Sequence, residues 1–234
     1  MSRPRDLVAH ALTKIYGSAS SATTALAGVD LVVRAGESVA VMGPSGSGKS
    51  TLLHCLAGVV RPTSGEVVWD GRPIGSLPDA PRTALRRTDF GFVFQSGQLL
   101  PELPAEENAA LPLMLRGVPR AEAVTAAREW LAWLGLRGME TRRPGELSGG
   151  QAQRVAVARA MVASPGVIFA DEPTGALDQA SGHGVLEVLT TAARRTGASL
   201  VVVTHDESVA AWCGRVLHMR DGRVVSERRP AVAP

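Results

Sequence analysis

The chain has 234 residues, enough for one globular domain, or one domain with a subdomain, around a sizeable core. With 45% apolar and 20% charged residues it is not a disordered sequence, and a net charge of +3 gives no argument for nucleic acid. No stretch reaches the roughly 18 unbroken apolar residues of a spanning helix, and the opening MSRPRDLVAHAL lacks a signal-peptide core.

Cys55 and Cys213 lie far apart and in no metal-spacing motif, so they read as buried reduced thiols of a cytoplasmic chain. In chain order, DLVAHALTKIYG and TTALAGVDLVVRAG carry short alternating apolar runs that end in glycine turns, as antiparallel strands do. ESVAVMG is nearly continuous in apolar residues, the pattern of a buried parallel strand. A glycine loop follows it, and then a helix, KSTLLHCLAG, ending at Gly58. SGEVVWDG and FGFVFQ (Phe90–Gln95) are two more short strands.

From about 96 to 163 the text is helical: AEENAALPLMLRG and RAEAVTAAREWLAWLGL carry apolar residues three and four apart. Trp130 and Trp133 fall in this segment and read as a core stripe or subdomain contact. Strand text resumes in GVIFAD, passes through a helix across QASGHGVLEVLTTAARR, and continues in ASLVVVTH and RVLHMRDGRVV. The expectation is an α/β fold with a mixed core sheet, an N-terminal antiparallel β subdomain and a helical insert. Residues 1–95 and 164–225 form the expected core, 96–163 the helical subdomain, and 226–234 a loose tail.

GPSGSGKS, Gly43–Ser50, matches G-x-x-x-x-G-K-[ST] between a buried strand and a helix, the context that marks a phosphate loop. Gly43, Gly46 and Gly48 let the backbone wrap around phosphate oxygens, and the helix start adds the positive end of its dipole. Lys49, one of only two lysines, then bridges β- and γ-phosphates, and the Ser50 hydroxyl holds Mg²⁺.

Asp171 ends a hydrophobic strand, where an acid can support Mg²⁺ directly or through water, and Glu172 beside it can serve as general base. From a lone pair of acids, a helix cap would be the better reading. His205, also at a strand end, can bond the γ-phosphate or be purely structural, and Gln95 can complete the Mg²⁺ shell.

Together these segments resemble the nucleotide-binding domain of the ATP-binding cassette (ABC) family, a P-loop NTPase fold, over nearly the whole chain. GPSGSGKST resembles its Walker A loop, including Pro44, Ser45, Ser47 and Thr51, while Gln95 resembles its Q-loop. LSGGQ (Leu147–Gln151) resembles its signature, VIFADEP its Walker B strand, GALD its D-loop and His205 its switch histidine. Tyr16 stands where the family's adenine-stacking aromatic sits.

The resemblance implies ATP and Mg²⁺, and a homodimer that holds ATP as a head-to-tail sandwich. Ser148, Gly149, Gly150 and Gln151 would act in trans on the partner's nucleotide, and Asp178 would cross the interface. Ser148 and Asp178 also read as helix caps. The nearest branch in pattern is the exporter ATPases of macrolide efflux and lipoprotein release, which implies an integral membrane permease and a position on the inner face of the cell membrane. A signalling or mechanotransmission machine is the alternative, and no nucleic acid is expected. Gly97, where a bulkier residue is common, and Pro104, where threonine is frequent, depart from the branch pattern.

Overall fold

The computed structural model describes residues 5–18 and 21–229. The chain divides into two compact units, one formed by the chain up to Arg86 and from Ser199 onward, the other by Arg87–Ala198.

In the first unit, β1 (Leu7–Tyr16), β2 (Thr23–Val33), β4 (Ser64–Trp69) and the short β5 (Arg72–Pro73) make an antiparallel sheet in the order β2-β1-β4-β5. Alternation buries Leu7 and Ala9, and a register shift before Leu12 buries that residue too, although the simple period of two would turn it outward. The second sheet of this unit is built on β3 (Ser38–Met42), which runs parallel to both β8 (Ser199–Val203) and β9 (Arg215–Arg220). β10 (Arg223–Arg228) pairs antiparallel with β9, which makes the sheet mixed as expected. All five residues of β8 are buried, and so are Val39–Met42, as the continuous apolar runs require.

Helix α1 (Lys49–Leu56) follows β3 and buries Leu52, Leu53, Cys55 and Leu56. Burial in apolar surroundings pushes the Cys55 thiol up to about 11, so it is an inert thiol, and Cys213 is likewise buried and in no disulfide. Helix α2 (Asp79–Thr88) has no counterpart in the sequence reading, because Arg82 is its only buried residue and it presents no apolar stripe. The single turn α7 (Glu207–Ala210) is capped by Asp206.

The second unit pairs β6 (Phe90–Phe94) in parallel with β7 (Val167–Asp171), and Phe90 meets Phe169 edge to face at 5.2 Å. Around this pair lie α3 (Ala105–Leu115), α4 (Arg120–Trp133), α5 (Gly149–Met161) and α6 (Gln179–Thr196). At Gly91 a Cβ would stand 2.5 Å from the Ala160 carbonyl, so only glycine lets β6 approach α5 this closely. This unit holds β6, β7 and α6 together with the helices, and its boundaries fall at Arg86/Arg87 and Ala198/Ser199.

Within the segment expected as tail, Ser226–Arg228 are strand. Strand β10 continues through Arg228, held by Glu227 paired to Arg215 at 2.8 Å, while residues 230–234 lie outside the described residues. Among the described residues no helix is long and apolar enough to cross a membrane.

Candidate functional site

In the first unit the loop Gly43–Gly48 leaves the C-terminal end of β3 and enters α1. Gly43 and Gly48 have φ of 151° and 99°, and a Cβ on either would stand 2.2 Å from Met219 O or 2.3 Å from Ala25 O. Glycine is therefore required by conformation and by space. The turn between β9 and β10 supports the loop from outside: Gly222 N donates to Ser47 O at 3.1 Å, and Ala27 N donates to Gly222 O at 2.9 Å. Asp221 and Gly222 both have positive φ, which a two-residue hairpin turn with the Asp-Gly signature needs.

Lys49 is nearly buried, and its Nζ donates to Gly43 O at 2.7 Å and Pro44 O at 2.9 Å, so the ammonium is held at the loop's own carbonyls. Ser47 Oγ is buried and has no hydrogen-bond partner among the described residues. An orphaned buried hydroxyl beside an ammonium and a helix N-terminus is an arrangement that fits a phosphate chain. Pro44, Ser45, Gly46 and Ser50 are exposed, and Thr51 is half-buried.

Tyr16 ends β1 with its ring 42% exposed and Lys14 Nζ 5.0 Å from the ring centroid. His205 is exposed just past Thr204, whose N–H donates to Val41 O at 3.1 Å. Hydrogen bonds from Ser208 hold the neighbouring Asp206 carboxyl below its ordinary range, and His205 adds a smaller electrostatic contribution.

In the second unit the parallel register sets Phe94 opposite Asp171. Gln95 and Glu172 are the residues that follow, so both loops leave side by side from the C-terminal edge, where open α/β sheets present ligand-binding groups. Glu172 has φ of 46°, a left-handed conformation that costs a non-glycine residue on the order of 1 kcal/mol. Its carbonyl accepts from Gly175 N at 3.0 Å, closing a tight turn. The Gln95 side chain lies over that turn: a Cβ on Gly175 would stand 2.9 Å from Gln95 Nε2. The donor types of Ser50, Gln95 and Asp171 are all oxygens, the hard set that suits Mg²⁺.

Ser148 caps α5, its Oγ accepting from Gln151 N at 3.3 Å while Gln151 Oε1 accepts from Ser148 N at 2.9 Å. The Gln151 side chain contributes its Oε1 to the capping box. Gly149 and Gly150 open the helix, and a Cβ on them would stand 3.0 Å from Leu177 Cδ2 and 3.4 Å from Ser181 Cβ. Asp178 caps α6 through Ser181 N at 3.0 Å, and the hydrogen bonds from Ser181 hold its carboxyl below the usual range. Signature turn and D-loop therefore sit together in one unit.

Two groups that support this region carry no motif of their own, Gln153 and Arg159 on α5. Trp130 and Trp133, expected as a core stripe or subdomain contact, are half-buried and meet edge to face at 5.6 Å.

Residues 26–175 match the profile of the family described as "ABC transporter". The lipoprotein-releasing system ATP-binding protein LolD of Geobacter metallireducens is 48% identical over 216 residues, 92% of this chain and 96% of its own length. LolD of Bordetella pertussis is 46% identical over 228 residues, 96% of this chain and 99% of its own. A dimeric structure of a post-hydrolysis state of the ATP-binding cassette MJ0796, bound to ADP and Pi, superposes with a TM-score of 0.87 at 39% identity, covering 95% of this chain and 98% of that one. CbiO1 of Clostridium perfringens, part of the ABC transporter complex cbiONQ, gives 0.86 at 28% identity, covering 97% and 90%.

Proposed function

The chain belongs to the ABC transporter family as an ATP-binding, ATP-hydrolysing domain, and from that premise we propose that it energises a membrane permease exporting a lipoprotein-type substrate. Near-complete two-way coverage against lipoprotein-releasing ATPases supports the substrate class. ATP is bound by Tyr16, by the loop Gly43–Thr51 and by Gln95. Lys49 leaves the Gly43 and Pro44 carbonyls for the β- and γ-phosphates, an exchange of one set of oxygen acceptors for a better-charged one. Ser50, Gln95 and Asp171 would hold Mg²⁺, which would supply charge neutralisation on the transferred phosphoryl group.

Glu172 is the general base that orients and deprotonates the attacking water, and His205 bonds the γ-phosphate. Ser148, Gly149 and Gly150 of a second copy complete the site, with Gln151 fixing their geometry through the capping box rather than touching nucleotide itself. Asp178 lies at the dimer interface. Chemistry waits for closure because positioning is most of the catalysis. Hydrolysis then removes the anion that joined the two copies.

The observation that carries this reading is the Phe94–Asp171 register, which aligns Gln95 with Glu172. The test is to purify tagged Glu172→Gln from detergent-solubilised native membranes with and without ATP. An integral membrane protein recovered in stoichiometric amount is the expected result. Recovery of soluble protein alone would remove the transport reading while leaving the ATPase intact. On the expected result the protein sits on the inner membrane face through that permease.

A further inference from the structure

Helix α5 carries the signature turn at its N-terminus and, five residues after Ser148, a glutamine that is only 2% exposed. Gln153 Nε2 donates to Phe94 O at 2.8 Å and to Pro173 O at 2.7 Å. Those carbonyls belong to the residue just before Gln95 and the residue just after Glu172. Both hydrogens of one amide nitrogen are used, one on each loop. We propose that Gln153 is a positioning residue which fastens the Gln95 loop and the Glu172 turn to the signature helix, so that a phosphate seated on Ser148–Gly150 is sensed at both loops at once. This rests on the roles given above to Gln95 and Glu172 and adds a group that touches neither nucleotide nor water.

The side-chain type is specific. A neutral planar amide offers two donors from a single atom, which a histidine nitrogen cannot, and asparagine would be one methylene short. Losing that nitrogen takes the donor from the buried Pro173 carbonyl, which costs more than the exchange of one hydrogen bond for another, and leaves Phe94 O with Gly97 N alone. The acceptors are themselves parts of turns: Phe94 O also accepts from Gly97 N at 3.0 Å, and the Glu172 turn is closed by Gly175 N.

Gly97 makes room for the arrangement. Its φ is +69°, and a Cβ there would stand 3.2 Å from Gln153 Oε1, tighter than an ordinary contact. Two turns further along the same helix, Arg159 donates to Gly97 O at 2.6 Å and Gln98 O at 2.7 Å. The helix thus grips the Gln95 loop twice and the Glu172 turn once. From Ser148 to Gln153 the helix rises only about 7 Å, so a shift of its N-terminus arrives undiminished.

Gln153→Met keeps the unbranched shape and removes the donors. Its kcat for ATP should fall on the order of 10- to 100-fold, the cost of displacing reacting groups by an ångström, while KM and equilibrium ATP binding move less than about twofold. Amide exchange at Gly97 and Gly175 should quicken together, with the amides of α5 unchanged, a pattern that general loosening of the fold would not give. Arg159→Met, which spares Gln153, should lower kcat in the same direction and quicken Gly97 but not Gly175; it also serves if Gln153→Met fails to fold.

A kcat within twofold of the parent, or loss of kcat and ATP affinity in parallel, would overturn the proposal. So would Arg159→Met quickening both amides or neither. Glu172→Gln run alongside separates the two levels. If that variant turns over normally, the underlying site reading is at fault; if it is inactive while Gln153→Met is normal, only the present inference fails.

Discussion

Lys49 is the residue whose surroundings say most about its task. An ammonium brought to 9% exposure loses hydration, and two carbonyls at 2.7 and 2.9 Å replace part of it. That arrangement is satisfied but not charge-neutral, so an anion entering the loop gains from an ammonium already desolvated and aimed. Lys49→Ala removes this and should lower ATP turnover on the order of a hundredfold or more, checked by steady-state hydrolysis alongside ATP binding. Unaltered kinetics would refute the phosphate-loop role. The chemistry-bearing residues were legible because their spacing is local: Gly43–Ser50 is one continuous run, and Asp171–Glu172 end one apolar strand. Gln153 was not legible, since a lone glutamine in a helix usually faces water. The one available signal was its place in the run QAQRVAVARAMVA, where it lies one turn before the buried Val157.

Elements read well from sequence where a periodic apolar pattern exists and poorly where it does not. β3, β7 and β8 are continuous apolar runs and appear where expected. Helix α2 has no such pattern and α7 is a single turn, so neither left a trace. The register shift in β1 was equally silent, because alternation records faces and not bulges. The terminal run RVLHMRDGRVV reads as strand text, but nothing in it says that a turn at Asp221–Gly222 is bonded to the phosphate loop. That bond makes a prediction at this scale. Gly222 has φ of +74°, and a Cβ would stand 2.9 Å from Ala25 O. Gly222→Ala should therefore destabilise the fold by about 1–3 kcal/mol, read as a lower Tm. Because the same turn donates to Ser47 O, ATP affinity should fall with it, whereas an exposed alanine elsewhere on β10 should change neither. Retained affinity would mean that the loop keeps its shape without the hairpin.

At the scale of the whole molecule, one chain carries two helix starts proposed above to meet phosphate, at Lys49 and at Gly149, and a single Asp171–Glu172 pair. In a two-fold assembly each ATP would take its phosphate loop from one copy and its signature turn from the other. Mixing two inactive variants distinguishes this from a site completed within one chain. Lys49→Ala disables the phosphate loop, and Ser148→Arg places a long cation where the signature glycines must approach. Each homodimer then has both sites broken. In the mixed dimer both lesions fall in the same site, and the other site pairs an intact phosphate loop with an intact signature. Mixing should restore turnover that neither variant has alone, about a quarter of the parent level if copies exchange at random and sites act independently. If each chain completed its own site, every site in the mixture would still carry one lesion and nothing would be recovered. The recovered activity should also depend on total protein concentration, as it must when the active species is a pair.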